Sequence, residues 1–370
     1  MNAAQFQSAK LRLSRLLNGM TKAELAERLG KTRQFMHSLE IGDKAPSNDL
    51  LAALALVLKV PTQFFFTPML DEVREEQCHF RSRRNMPDKL AHQIIAHGTA
   101  LEGIVNSISQ VLKLPNVNFP TIQIKMWGTE EIEDAAAQCR LHWKLGTGPI
   151  SNMTRVLENA GAVITYFETD RPEVDAVSMA RNRPLIVRNK LKSSPGRQRF
   201  DFAHECGHLV IHSGIETGEN DTESQANNFA AAFLMPRESF GKEFPAMLDR
   251  LDWNAIYSLK IRWRVSAKAV IRRARDLGLL DAVRYESANR YLNSSGQARV
   301  ERYDDRIPTE KPELIANAIR AYLKTKRISF GEFAREMEMT PILIEQLVPG
   351  LQAGLRDGSD HENEHAAREA

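Results

Sequence analysis

Positions 204–208 read His-Glu-Cys-Gly-His. On a helix, residues four apart share one face, so the imidazoles of His204 and His208 can converge on one divalent metal ion. Glu205 beside them is placed to take a proton from a water that such a metal activates. A third ligand must come from elsewhere in the chain. The stretch T-E-S-Q-A-N-N-F-A-A-A-F-L-M-P at 222–236 has a buried stripe of Ala226, Phe229, Ala230 and Phe233, and Glu223 is its lone ionisable side chain. A carboxylate on an otherwise apolar face is costly unless paired or coordinated. Glu223 is therefore a candidate ligand, with Glu216, Glu219 and Asp221 in the preceding loop as rivals. Two histidines and one glutamate, with the fourth position left to water, make a catalytic rather than a closed structural zinc set. His212 is four beyond His208, but a straight helix puts it ~12 Å along the axis from His204. That is too far to share one ion, and His212 reads as a helix-end or supporting group. His361 and His365 sit in a polar tail and read as solvated, and Cys206 faces away from the two histidines.

A second constellation lies near the start, T-K-A-E-L-A-E-R-L-G-K-T-R-Q-F-M-H-S-L-E-I-G-D-K-A-P-S at 21–47. Thr21 with Glu24 three residues on predicts a capping box. Gly30 supplies a turn and Thr32 caps the next helix, whose Met36 and Leu39 face inward with Leu25 and Leu29. Arg33, Gln34 and His37 are left pointing outward near the start of that helix, together with Thr32. That is where a recognition helix meets base edges in the major groove. Arg suits guanine and Gln suits adenine through paired hydrogen bonds.

The elements that must hold these groups follow from periodicity. The expected domains are a helical DNA-binding domain at 1–70, a linker and long helix at 71–128, and a zincin-like domain at 129–245. A helical region at 246–350 and a disordered tail at 351–370 follow. The linker opens as a charged connector over 71–86. Within the zincin-like part, short β-rich runs at Ala162–Phe167, Ala176–Met179 and Pro184–Arg188 precede a helix from Ser194-Pro195 to near Gly214. The next helix is expected to start at Thr222, with Gln225 completing a capping box, and to stop at Pro236. Basic helices are expected over 253–280 and a helix pair over 311–348, and no regular repeat is visible. The fold class is mainly α with a small β-sheet, α+β.

The 370 residues are 42% hydrophobic and 26% charged, enough apolar mass to exclude a largely disordered chain. The longest apolar run, Leu50 to Leu58, is far short of the ~20 residues of a membrane span. The first ten residues lack a secretory core, and Cys78, Cys139 and Cys206 are too few and scattered for a disulfide framework. A cytoplasmic location is expected. Net charge is only +3, but seven basic residues and no acid lie between Arg181 and Arg199, and again between Trp253 and Arg275. Such clusters are usually solvated faces, and beside a helix-turn-helix they strengthen the case for nucleic acid.

Residues 8–66 resemble the lambda-repressor/Cro-like (XRE-type) helix-turn-helix family. The likeness rests on E-L-A at 24–26, Glu40 with Gly42, Pro46 and the L-x-x-L-A-x-x-L helix through Leu58. H-E-C-G-H-L-V-I-H at 204–212, E-S-Q-A-N-N-F-A-A-A-F-L-M-P at 223–236, R-Q-R-F-D-F-A before His204 and W-K-L-G-T-G-P-I at 143–150 resemble the ImmA/IrrE metallopeptidases. That resemblance implies His204, His208 and Glu223 as ligands of one zinc or another divalent metal per chain, and Glu205 as general base. It also implies a cytosolic bacterial endopeptidase that cuts a repressor-type protein. The expected partners are a duplex DNA operator, bound as a homodimer, and the repressor substrate, with no membrane. The extended edge at Pro184–Arg188 is expected to receive the substrate, with the adjacent basic run favouring an acidic segment. The alternative is a helix-turn-helix repressor or antitoxin whose peptidase-like domain is a non-cleaving sensor.

Overall fold

The computed structural model describes residues 5–68, 71–80, 86–167, 176–190, 194–215, 217, 219–245 and 251–351. The chain opens with α1 (Ser8–Leu17), α2 (Lys22–Arg28), α3 (Arg33–Glu40) and α4 (Asn48–Leu58). Thr21 and Glu24 form the expected capping box on α2, and the Thr32 hydroxyl caps α3 by accepting from Phe35 N–H. Then come β1 (Cys78–Phe80), α5 (Asp88–Ser109), α6 (Thr129–His142), α7 (Met153–Asn159), β2 (Val163–Phe167), β3 (Ala176–Met179) and β4 (Leu185–Asn189). The centre of the molecule is α8 (Pro195–Ile211) and α9 (Asn220–Leu234), followed by α10 (Arg237–Glu243), α11 (Trp253–Trp263), α12 (Ala267–Asp276) and α13 (Ala282–Ser294). The described part closes with α14 (Leu314–Lys326), α15 (Phe330–Glu336) and α16 (Pro341–Leu347), so the class is α+β as read. The tail expected at 351–370 lies outside the described residues apart from Leu351.

The sheet runs β1-β3-β4-β2, with β2 and β4 parallel and the other pairs antiparallel. Strand alternation divides its side chains between two cores. Val163, Phe167, Val177, Met179, Leu185 and Val187 join a core shared with α1–α5 and α14–α16. Ile164 and Ile186 face the other core, with α8, α9, α11 and α12.

Four expectations are corrected. The connector at 71–86 is not simply a charged linker: Cys78, His79 and Phe80 form β1, in register with Met179, Ser178 and Val177. Pro184–Arg188 offers no edge, because β4 lies between β3 and β2. Helix α9 starts at Asn220 with Glu219 as N-cap; Thr222 merely donates its hydroxyl to the Glu219 carbonyl, and no capping box forms. The two later basic runs are largely spent internally. Arg181 pairs with Asp71 and Glu102, Arg199 with Glu310, Lys260 with Glu301 and Asp304, and Arg273 with Glu133.

The expectation of no repeat also fails. Helices α14–α16 reproduce α1–α3 at a constant spacing of 308 positions, as from Thr21 to Ser329. Ser329 and Glu332 repeat the capping box of Thr21 and Glu24, and Thr340 caps α16 as Thr32 caps α3. The left-handed residues Gly19, Gly30 and Gly42 recur as Arg327, Glu338 and Gly350. Buried Leu25, Ala26, Met36 and Leu39 recur as Phe333, Ala334, Ile344 and Leu347. Even the turn bonds match: Lys31 N–H to Ala26 O recurs as Met339 N–H to Ala334 O. The outward positions do not. Arg33, Gln34 and His37 are replaced by Pro341, Ile342 and Glu345, which cannot make the paired Arg–guanine or Gln–adenine bonds.

Candidate metal centre

Helix α8 begins with Ser194 as N-cap and Pro195 at its first position, where the missing N–H costs no helical bond. It is buried along nearly its whole length between the sheet and α9. Gly207 sets the approach of the two helices. A Cβ there would meet the Phe229 ring at 3.1 Å and the Ala226 Cα at 3.4 Å. This close crossing carries Glu223, near the start of α9, over the histidines of α8.

His204 Nε2 and His208 Nε2 lie 3.1 Å apart. Glu223 reaches both, with Oε2 3.3 Å from His204 Nε2 and Oε1 3.3 Å from His208 Nε2. Among the described residues these three are the one group of such side chains whose ligand atoms all fall within 4.8 Å of one another. Burial alone would raise the Glu223 carboxyl, but the two imidazoles beside it outweigh this and hold it well below the usual carboxylate range. Glu205 is 1% exposed and the two histidines are fully buried.

The outer nitrogens fix the tautomers. His204 Nδ1 lies 3.0 Å from Asn227 Oδ1, which can only accept, so that nitrogen carries the proton and Nε2 presents a lone pair. His208 Nδ1 lies 2.9 Å from His212 Nδ1, and His212 Nε2 lies 2.9 Å from Gln225 Oε1. The amide oxygen takes the His212 Nε2–H, which leaves His212 Nδ1 as acceptor for His208 Nδ1–H. Both Nε2 lone pairs then face each other across 3.1 Å, a repulsive contact unless a cation lies between. Metal–nitrogen bonds of ~2.0–2.1 Å at a tetrahedral angle separate two nitrogens by about 3.4 Å, so the donor set fits zinc in spacing, charge and protonation. Oriented outer partners of this kind are what metal-ligating histidines require.

His212 thus supports His208 from outside the candidate ligand set, and burial, followed by the neighbouring His208, lowers its pKa to about 4. Asp221 and Glu219 are exposed and outside the cluster, and Glu216 lies outside the described residues. Cys206 is buried in the core on the other side of α8. Two groups escaped the sequence reading. Asn227 carried no signal beyond its helical spacing from Glu223. His79 of β1 stacks on His208 with ring centroids 5.2 Å apart and 5° between planes. Its Nδ1 is 2.7 Å from Thr217 Oγ1, and burial lowers its pKa to about 3.

At the other constellation, Thr32, Arg33, Gln34 and His37 are all exposed on one side of α3, while Met36 and Leu39 are fully buried beneath them. His37 Nδ1 lies 3.2 Å from Lys22 Nζ, which places a cation of α2 beside the recognition face.

A family model for the IrrE N-terminal-like domain matches residues 157–275, spanning β2 to α12 and all four residues of the candidate centre. A helix-turn-helix model matches residues 11–65. No curated protein matches the chain. The chain therefore combines a helix-turn-helix domain with a domain of a metallopeptidase family, as the two resemblances implied.

Proposed function

We propose that this DNA-binding regulator is also a zinc endopeptidase that cuts a repressor-type protein. The observation carrying this reading is the convergence of His204 Nε2, His208 Nε2 and the Glu223 carboxylate, with Glu205 on the same turn of helix. Zinc held by these three residues supplies the Lewis acidity that makes water a nucleophile at neutral pH. Glu205 takes the proton of the attacking water and delivers it to the departing amine nitrogen. Asn227 and His212 keep both ligand histidines in the tautomer that binds metal. The helix-turn-helix brings the chain to its operator through Arg33 and Gln34, as a homodimer on two half-sites, and so to repressors bound nearby.

Zinc content and cleavage of candidate repressor proteins by wild type and Glu205→Gln test this reading, with products mapped by mass spectrometry. The Gln variant should keep its metal and lose cleavage. Equal cutting by both would remove Glu205 from the mechanism. The sensor reading is favoured by one observation, the burial of His204, Glu205 and His208, and absence of cutting by wild type across candidates would favour it over the peptidase.

A further inference from the structure

We propose that the outer edge of β3 is the peptide-binding site of the metallopeptidase-like domain, and that residues 78–80 of the chain's own connector occupy it as a built-in plug. The inference rests on the metal-centre reading above and adds to it the ligand class and the control of access. An extended peptide binds a sheet by adding a strand to an open edge. Of the two edges, β2 is bonded at its side chains to the last helices, as in Thr165 Oγ1 donating to Leu347 O at 2.5 Å. The other, β3, packs against α8, which carries the metal-binding histidines. That is the edge β1 takes, antiparallel and in register over three residues.

The side chains of β1 alternate as a bound peptide's would. Cys78 and Phe80 enter the apolar core, while His79 turns to the opposite face and lies flat on His208. His79 is 4% exposed, and its Nε2 has no hydrogen-bond partner. A buried ring whose one side-chain hydrogen bond among the described residues is to Thr217 is a displaceable cover. The matching ligand is an extended segment with apolar residues on both sides of the one above the metal centre. What holds the plug lies outside the centre: Arg181 bridges Asp71 and Gln77, which precede β1, to Glu102 of α5.

The register supplies a lock. Cys78 faces Met179 across the strand pair, so Met179→Cys allows a disulfide that fastens β1 to β3, while Arg181→Ala removes the clasp. The full chain is loaded with zinc, and metal loss to a chelator is timed together with amide exchange at residues 78–80. Oxidised Met179→Cys should lose zinc at least tenfold more slowly than its reduced form. Arg181→Ala should lose it at least tenfold faster than wild type, with faster exchange at 78–80. Cleavage of a repressor should follow the same order. If the oxidised, reduced and Arg181→Ala forms all release zinc at the wild-type rate, the plug is refuted even where cleavage is seen. If zinc release follows the lock but no form cuts any protein, the plug stands and the peptidase reading falls. Failure of every form to bind zinc overturns both. Cutting of wild type within 78–80 would make the segment a substrate and overturn its role as a plug.

Discussion

The buried ion pair of the helix-turn-helix domain can be exchanged for the apolar pair that its copy carries. Arg15 and Glu40 are 7% and 3% exposed at their side chains and joined by two bonds. Arg15 Nη1 also donates to Met20 O at 2.5 Å. At the equivalent positions the copy has Leu323 and Val348. Removing one partner of a buried pair leaves an uncompensated charge and costs about 3–5 kcal/mol, whereas replacing both by apolar groups of similar volume is often neutral or better. Glu40→Val alone should therefore lower the protection of α1 and α3 amides by about two to four powers of ten, at about 1.4 kcal/mol per tenfold. Arg15→Leu/Glu40→Val should restore most of it, short of about 1 kcal/mol for the Met20 carbonyl left without its donor. Hydrogen exchange in the full chain reads this locally, which suits a molecule of several units. A double variant as unprotected as Glu40→Val would refute the equivalence of the two units.

Three further outcomes are expected. Asn227→Ala should weaken zinc binding by about 10–100-fold with the fold intact, the usual loss for an outer partner of a ligand histidine; competition with a calibrated chelator measures it, and an unchanged affinity would discard the tautomer argument. Arg33→Ala/Gln34→Ala should lose sequence preference before non-specific affinity, and an unchanged operator footprint would misplace the recognition helix. Burial lowers His97 of α5 to about 4 from an ordinary 6.5, against a smaller raising effect of its bond to the Leu17 carbonyl. The unfolded chain therefore takes up this proton first, so stability is whole above pH 6.5 and is withdrawn as pH falls toward 4, by at most about 3 kcal/mol. His97→Gln should flatten that part of the pH profile of denaturation.

What could be read from sequence was what lies close along the chain. His204, Glu205 and His208 occupy little more than one helical turn, and Glu223 stood out as a charge on an apolar stripe. The capping box of α2 uses residues three apart. At α9 the same local signal misled, because Gln225 is spent on His212, which it meets only after folding. The basic runs misled for a related reason: the acids that satisfy Arg181, Arg199 and Arg273 lie at positions 71, 102, 310 and 133. His79 was hidden within a charged stretch, and three residues are too short a run to show strand alternation. The repeat escaped notice because its matches are mostly of role. Arg327 and Glu338 stand where glycines were, and Leu323 and Val348 replace an ion pair.

The copy also links the DNA-reading unit to the sheet beside the candidate metal centre. Thr340 Oγ1 donates to Lys59 O at the end of α4, and Leu347 O accepts from Thr165 of β2, so α16 bridges the reading unit and the sheet. On the other side α5 meets α1 and, through Glu102, holds the Arg181 clasp. The reading unit, the plug strand and the sheet thus share one core. If binding DNA shifts α1–α4, α5 is the element that connects that shift to the plug. Operator DNA is accordingly expected to change the rate of zinc release from wild type, and oxidised Met179→Cys, with its plug fixed, should not respond. Linkage makes the test two-sided: if DNA favours the released plug, then Arg181→Ala, which favours it too, must bind the operator more tightly. Identical zinc release with and without operator, together with unaltered operator affinity in Arg181→Ala, would show that the two sites share a core without sharing a conformational equilibrium.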